Sequence, residues 1–391
     1  MTYARKIEPL ILEELESPRI IILTGMRQTG KTTMMRKVFD SIQGGNKVFL
    51  DLENPMNQKI FEEDNYDNIL FNLKELGIDT AERSWVFLDE IQAAPEISKP
   101  IKYLHDHFNI KFLLTGSSSY YLKNLFTESL AGRKTVFELF PLDFEEYLVF
   151  QEIKADFQPD LALKAKNKSM VRYGLYGKYY DEYLKYGGFP AVALEKRNKV
   201  GIIDDIFKSF FEKDVKSLAD FRELGKLRDV IILLASRIGS KIDFTKMASE
   251  VGVSRETVYS YLSFLEKTFF IHLIKPFSGS ADGEVRGSRK VYLCDPGIAN
   301  RMGKTSDGAL LENAVYLNLR NLGEIKYYEK YRGPEIDFIV GGRIAVEVKT
   351  SGDDRDLSRL RKTASQLKLG ECYLVTKNYF ENPHAIQAAD L

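Results

Sequence analysis

The stretch Arg19-Ile20-Ile21-Ile22-Leu23-Thr24-Gly25-Met26-Arg27-Gln28-Thr29-Gly30-Lys31-Thr32-Thr33 decides the class of fold. Residues 19–24 form an apolar run without alternation, as expected of a strand buried on both faces. Gly25 to Thr32 then fits GxxxxGK[ST] without a mismatch, and a helical pattern runs from Thr32 to Ser41. In a strand–loop–helix of this kind the glycines let backbone N–H groups turn inward around phosphates, and the helix N-terminus adds partial positive charge. Lys31 is placed to reach the β- and γ-phosphates and the Thr32 hydroxyl to ligate Mg²⁺, with Met26, Arg27, Gln28, Thr29 and Thr33 completing the loop. The sequence therefore predicts a nucleotide site over residues 25–33.

Reading outward, Trp85-Val86-Phe87-Leu88-Asp89-Glu90 is an apolar strand ending in two acids. Behind a phosphate loop, Asp89 falls near the metal and Glu90 is placed to polarise the attacking water. Apolar runs at Lys47–Leu52 and Lys111–Thr115, with helical spacing over Thr32–Ser41 and Ile97–His107, predict a parallel sheet covered by helices. The Lys47–Leu52 run, lying between the loop and Asp89 in sequence, is expected to insert between their strands. With Glu90 as base, that arrangement resembles the additional-strand P-loop ATPases rather than the kinases or GTPases. The phrase Thr115-Gly116-Ser117-Ser118 offers a hydroxyl, Ser117, beside the metal-binding strand, resembling the sensor-1 position of AAA+ ATPases; an ordinary turn is the other reading. In Ser129-Leu130-Ala131-Gly132-Arg133, Arg133 precedes a β-type run and reads either as a finger for a neighbour's γ-phosphate, which predicts a homo-oligomer, or as a surface salt bridge.

Composition bounds the rest. The 391 residues carry 56 Lys+Arg against 56 Asp+Glu, with 44% apolar and 12% aromatic residues, which excludes a disordered chain and a polycation. The longest apolar runs, such as Val230–Ala235, fall far below the ~18 residues that cross a bilayer. The N-terminal region reaches charge at Arg5, Lys6 and Glu8 without a signal-peptide core, and Cys294 and Cys372 suggest neither a disulfide framework nor a zinc site. A soluble cytoplasmic protein without a membrane partner is the expectation.

Past residue 226, Asp243–Glu250 reads as a short helix capped by Asp243, Val251-Gly252-Val253 as a turn, and Ser254–Thr268 as a second helix. Its apolar Val258, Leu262 and Leu265 face a core, leaving Arg255, Thr257 and Tyr259 outward. Two β-type runs, Phe270–Lys275 and Lys290–Leu293, follow around a loop holding Arg286 and Arg289, in the shape of a winged helix. Residues 222–290 hold twelve basic against eight acidic residues, a mild footprint that leaves contact with double-stranded DNA and contact with protein both open. Further on, Glu335–Val340, a Gly341-Gly342 turn and Ile344–Lys349 read as a hairpin whose alternation sets Glu347 and Lys349 on one face.

Several phrases together resemble a group of bacterial and archaeal AAA-type ATPases with a nuclease-like C-terminal domain. They are Gly25–Thr32 with Arg27, Leu88-Asp89-Glu90-Ile91-Gln92, Thr115-Gly116-Ser117-Ser118, Leu130-Ala131-Gly132-Arg133, Phe140-Pro141-Leu142, Tyr186-Gly187-Gly188-Phe189-Pro190, Gly308–Asn313 and Glu335–Phe338. The set Glu312, Asp337, Glu347, Lys349 resembles the PD-(D/E)XK nuclease constellation, which implies Mg²⁺ on the carboxylates and Lys349 beside the attacking water. An inactive scaffold of the same shape is the other reading. The resemblance implies ATP as the nucleotide. It gives an α/β fold: an additional-strand P-loop core at 1–150, a helical connector at 151–226, a winged helix at 227–294 and a small nuclease-like α/β domain at 295–391. Three uses of hydrolysis follow from it: action on or sensing of DNA, a nucleotide-gated protein switch, and a nuclease regulated by ATP.

Overall fold

The structure, a computed structural model, describes residues 3–117, 130, 132–154, 157–216, 223–278, 283–284, 287–330 and 332–391; Ser118, Ser129, Ala131 and Arg286, named above, lie outside them. The described chain divides into two units, Met1–Phe140 with Lys267–Phe269, and Pro141–Glu266 with Phe270–Leu391. Residues 141–150, expected with the first domain, fall in the second unit.

In the first unit, strands β1 (Ile20–Thr24), β2 (Lys47–Asp51), β3 (Ser84–Asp89), β4 (Ile110–Gly116) and β5 (Lys134–Glu138) form one all-parallel sheet in the order β2-β3-β4-β1-β5. Alternate residues of β1 face opposite sides. Ile20 and Ile22 join Val86, Leu88 and Phe112 against helices Tyr66–Glu75 and Ser98–His107. Ile21 and Leu23 join Phe87 and Leu113 against helix α1 (Glu8–Glu14) and helix α2 (Lys31–Ser41). Covering both faces explains why these strands read as unbroken apolar runs.

One expectation is corrected. The strand inserted between β1 and β3 is β4, and the Lys47 run lies at the sheet edge as β2. All seven residues of β4 are buried, whereas of β2 only Leu50 is. The Lys47 ammonium donates to the carbonyls of Phe39 and Ile42 at 2.6 and 2.7 Å, an arrangement that suits an edge and not a strand covered on both sides. Position in sequence suggested the insertion; uniform burial decides it. The additional-strand class holds, with a different strand as the addition.

The second unit opens with helices, among them Met170–Tyr186 and Leu224–Ala235, and continues through the helix pair α3 (Phe244–Val251) and α4 (Arg255–Lys267). Strands β6 (Ile271–Pro276), β7 (Lys290–Leu293), β8 (Ile325–Glu329), β9 (Glu335–Val340), β10 (Ile344–Lys349), β11 (Glu371–Thr376) and β12 (Ala385–Gln387) share one mixed sheet, ordered β12-β11-β10-β9-β8-β6-β7. The hairpin β6–β7 is thus continuous with the C-terminal strands through parallel pairing of β6 with β8. Helix α5 (Asp307–Leu319) enters the C-terminal part, and helix Asp354–Gln366 covers Ile336, Ile339 and Ala345 with Leu360 and Ala364.

Gly187, Gly188 and Asn313 sit at close packing contacts. A side chain at Gly187 (φ +81°) would collide with the Asp295 carboxyl, which itself accepts from the Gly188 N–H at 2.6 Å. The Asn313 amide closes on strand β7 from both sides, accepting from the Leu293 N–H at 2.8 Å and donating to the Leu293 carbonyl at 3.2 Å. Cys294 and Cys372 are both free thiols, and among the described residues no helix is long and apolar enough to cross a membrane.

Candidate nucleotide site and C-terminal acid cluster

The loop between β1 and α2 is shaped by its glycines. Gly25 (φ +144°) lies so near β5 that a Cβ would sit 2.1 Å from the Leu139 carbonyl oxygen, so only glycine lets the chain leave the sheet there. Gly30 caps α2 in the left-handed region at φ 96°, and no side chain caps the helix. A helix that opens without a side-chain cap can offer its first N–H groups to an anion. The loop wraps on itself: Thr29 Oγ1 donates to the Met26 carbonyl at 2.9 Å, and the buried Lys31 ammonium donates to the carbonyls of Gly25 and Met26, both at 2.9 Å. Arg27 is half-buried on the loop, while Gln28, at φ 64°, and Thr33 are exposed.

Parallel pairing sets β3, β4 and β1 side by side, so their C-terminal ends converge. Asp89, buried at the end of β3, accepts hydrogen bonds from the hydroxyls of Thr115 and Thr32. Burial raises its carboxyl above the ordinary value against the pull of those two bonds, and the charges of Glu90 and Asp51 push the same way as burial. Glu90 follows in the left-handed region at φ 55°, its N–H donating to Thr115 Oγ1 at 3.0 Å and its carboxylate accepting from Gln92 Nε2. A non-glycine residue held there is strained and over-determined by its surroundings, a condition common at functional positions.

The hydroxyl that orients both acids is therefore Thr115, two residues before Ser117, which lies buried just past β4. Strand register was the missing signal: Thr115 pairs with Leu23 at the end of β1, level with Asp89 across β4. The donors gathered here, a threonine hydroxyl and a single carboxylate, are hard oxygens suited to Mg²⁺, which takes one or two protein carboxylates and completes its shell with phosphate and water. The site fits a magnesium-bound nucleoside phosphate. Arg133 is not brought to it: it precedes β5 at the opposite, N-terminal end of the sheet, where its carbonyl accepts from the Ile20 N–H at 2.8 Å and its guanidinium pairs with Asp106 at 2.7 Å.

In the second unit the C-terminal acids do come together, with unforeseen company. Glu312 on α5 accepts from the Tyr292 hydroxyl at 2.7 Å, and a side chain at Gly239 (φ +74°) would meet that carboxylate at 2.6 Å. Asp337 accepts from the Val348 N–H at 2.8 Å; burial and the nearby Glu312 charge push its carboxyl up to about 7. Glu347 is already paired with Lys349 at 2.9 Å. The buried Lys290, from β7, pairs with Glu335 at 2.5 Å, and Glu312 and Asp337 pull its charge toward retention. Lys290 and Tyr292 escape sequence reading because a four-residue apolar run hides which of its positions turns inward. Among the described residues no group of three or more His, Cys, Asp and Glu side chains is placed to hold a metal ion.

On the helix pair, Asp243 accepts from the Lys246 N–H at 2.9 Å, Gly252 ends α3 at φ 73°, and Ser254 accepts from the Thr257 N–H at 3.1 Å. Val258, Leu262 and Leu265 are buried, Arg255 and Tyr259 exposed, and Thr257 half-buried. Tyr259 stacks on Phe244 with ring centroids 4.0 Å apart. Arg289 pairs with Glu266 at 3.8 Å, Lys241 with Glu329 at 2.8 Å and Arg237 with Glu250 at 2.6 Å.

Comparison with known families gives three matches along the chain. Residues 17–148 match the profile of an AAA domain, 177–309 a domain of unknown function (DUF8612) and 307–387 another (DUF4143). The chain is 28% identical over 388 residues to an uncharacterised protein of Methanocaldococcus jannaschii, covering 92% of this chain and 82% of that one. An uncharacterised protein of Haemophilus influenzae is 27% identical over 334 residues, covering 82% and 79%. Among solved structures, the ORC1 protein of Aeropyrum pernix in complex with DNA overlaps 77% of this chain and 92% of that one at 14% identity and a TM-score of 0.32. The AAA match and the strand order together establish the first unit as a P-loop NTPase core.

Proposed function

We propose that the protein binds and hydrolyses Mg-ATP in its first unit. One observation carries the reading: at the converging ends of β1, β3 and β4, Thr32 of the loop and Thr115 of the inserted strand both bond Asp89. A bound Mg-ATP supplies the γ-phosphoryl group for transfer to water. The loop N–H groups and Lys31, turning its ammonium from the Gly25 and Met26 carbonyls, would hold the phosphates. Thr32 and Asp89 would hold the metal, and Glu90 would take the proton of the attacking water, with Thr115 and Gln92 fixing its backbone and carboxylate. Arg133, remote from its own site, serves as a finger only across a contact between copies of the chain, which is the homo-oligomer reading.

For the second unit we propose a sensor that couples hydrolysis to a macromolecule, with a winged helix at α3–α4 and β6–β7 and a nuclease-like scaffold behind it. Exposed Arg255 and Tyr259 support a DNA contact. The carboxylate partners of Arg237, Lys241 and Arg289 favour a protein contact, since each pair removes a cation from the surface that would face phosphates. Lys290, a cation additional to Lys349 in the acid cluster, favours an inactive scaffold over an ATP-regulated nuclease.

The test is steady-state phosphate release from Mg-ATP with and without duplex DNA, beside Glu90→Gln. Release lost in Glu90→Gln supports the ATPase; release equal in both proteins refutes it. A several-fold increase with DNA that fades as salt rises supports the DNA sensor, and a rate indifferent to DNA moves the reading to a protein partner.

A further inference from the structure

The phosphate loop is held from behind by a residue that lies outside the AAA match at 17–148. Arg5, buried at 8% exposure ahead of α1, donates from Nη1 to the Thr29 carbonyl at 3.0 Å and from Nη2 to the Phe140 carbonyl at 2.8 Å. Its own carbonyl accepts from the Glu8 N–H at 3.1 Å, opening α1. That helix is anchored in turn, by the Glu8 carboxylate on Lys37 of α2 at 2.7 Å and by Ile11 in the core. The guanidinium therefore sits on a fixed base and ties the loop to the chain just past β5.

The choice of carbonyl matters. A trans peptide points its C=O and the following N–H in opposite directions. Pinning the Thr29 oxygen on Arg5 thus also sets the direction of the Gly30 N–H at the start of α2. This peptide turns on Thr29 ψ and Gly30 φ, and glycine tolerates either sign of φ, so a bond to the carbonyl narrows the orientations open to it. A guanidinium spans two carbonyls as a rigid fork; a lysine ammonium is a single point on a flexible stem.

We propose that Arg5 is a positioning residue for the nucleotide site, holding the Gly30 N–H toward the phosphates. The inference rests on the ATP reading above. Its test uses the full chain and four variants, Arg5→Ala, Arg5→Lys, Lys31→Ala and Lys111→Met. The last is a structural control: the Lys111 ammonium ties α1 to the sheet through the carbonyls of Glu14 and Ser17, at 2.8 and 2.9 Å, and does not touch the loop. For each, the Kd for a fluorescent Mg-ATP analogue, KM and kcat for ATP, and Tm are measured.

Arg5→Ala is expected to raise Kd and KM about tenfold, the effect of losing a charge-assisted bond, with kcat at saturation within about threefold of the parent. Arg5→Lys falls between, and Lys111→Met lowers Tm with Kd unchanged. If Arg5→Ala fails to fold, Arg5→Lys decides: raised Kd at the parent Tm supports the inference and parental Kd overturns it. Parental Kd in Arg5→Ala, where Lys31→Ala has lost binding, overturns the Arg5 role alone. So does an equal rise of Kd in Lys111→Met, which would make Arg5 a mere anchor. If the parent protein itself binds no analogue, the ATP reading and this inference fall together.

Discussion

Asp89 in the first unit and Asp337 in the second are both carboxyls raised by burial, yet the groups around them differ in kind. Asp89 is bonded by two threonine hydroxyls, and its charged neighbours, Glu90 and Asp51, are acids. Asp337 and its neighbour Glu312 lie within reach of two ammonium groups, Lys290 and Lys349, and Glu312 also takes the Tyr292 hydroxyl. Thr32 and Asp89 together offer the hard oxygen donors that we propose hold the metal of a bound nucleotide. For the C-terminal cluster, paired with its own ammonium groups, we propose a structural role. On that proposal the same residue type serves a ligand site in one unit and an internal ionic junction in the other, where β7 meets α5, β9 and β10.

The sharpest way to break this contrast is in the chemistry. Glu90→Gln is expected to lower kcat for ATP by about 10²–10⁴-fold, the range for loss of a general base, with nucleotide affinity near the parent's. Glu312→Gln, in the other cluster, should leave kcat within about twofold, since no step of ATP hydrolysis uses it; a collapse of the rate there would join the two centres functionally. Next in size is the stability of the junction. Lys290→Met removes the buried ammonium and leaves Glu335, Glu312 and Asp337 without it, at a cost on the order of 3 kcal/mol by denaturant titration. A change below about 1 kcal/mol would show that the acids do not depend on it.

The dependence on pH sharpens the same point. A carboxyl held near 7 in the fold keeps its proton where the unfolded chain, with an ordinary value of ~3.9, has lost it. Between those values the native state binds more protons, so stability falls as pH rises toward 7. The buried Asp295, pushed up to about 6, contributes in the same direction. The buried His272, held down to about 3, acts the other way below its ordinary value of ~6.5, because there the unfolded chain takes up the proton. Tm is therefore compared between pH 5 and 7.5 in the parent and in Asp337→Asn, and the substitution is expected to make Tm fall less, or rise more, as pH rises; an unaltered slope would remove Asp337 from the account. The smallest effect belongs to the exposed pair at the far end of the first sheet. Asp106→Asn should change stability by no more than about 1 kcal/mol, as surface pairs do, while freeing Arg133. If Arg133→Ala nonetheless lowers kcat, and only at protein concentrations that give an oligomer, the arginine works across a contact between copies.

The sequence made the phosphate loop legible because its demands are local: glycine at special φ values, lysine and threonine at fixed spacing, a strand before and a helix after. Asp89 and Glu90 were legible for the same reason, as a strand end behind such a loop. What stayed hidden depends on register between distant strands. Which strand separates β1 from β3, and that Thr115 rather than Ser117 reaches Asp89, follow from the parallel pairing of β4 on both sides. The carboxylates at 312, 337 and 347 could be grouped by resemblance. Their cation could not, because Lys290 arrives from a hairpin read as part of a separate domain and proves to extend the same sheet. In the sequence Arg5 reads only as an early charge; its two carbonyl partners lie 24 and 135 residues away.

The contrast between the two centres is tested most directly by Mn²⁺ binding to the full chain, followed by electron paramagnetic resonance with and without a non-hydrolysable ATP analogue. The account predicts binding that requires the nucleotide, is lost in Asp89→Asn and persists in Asp337→Asn. Binding without nucleotide that survives Asp89→Asn and disappears in Asp337→Asn would contradict it, and would make the C-terminal cluster the metal centre of this protein.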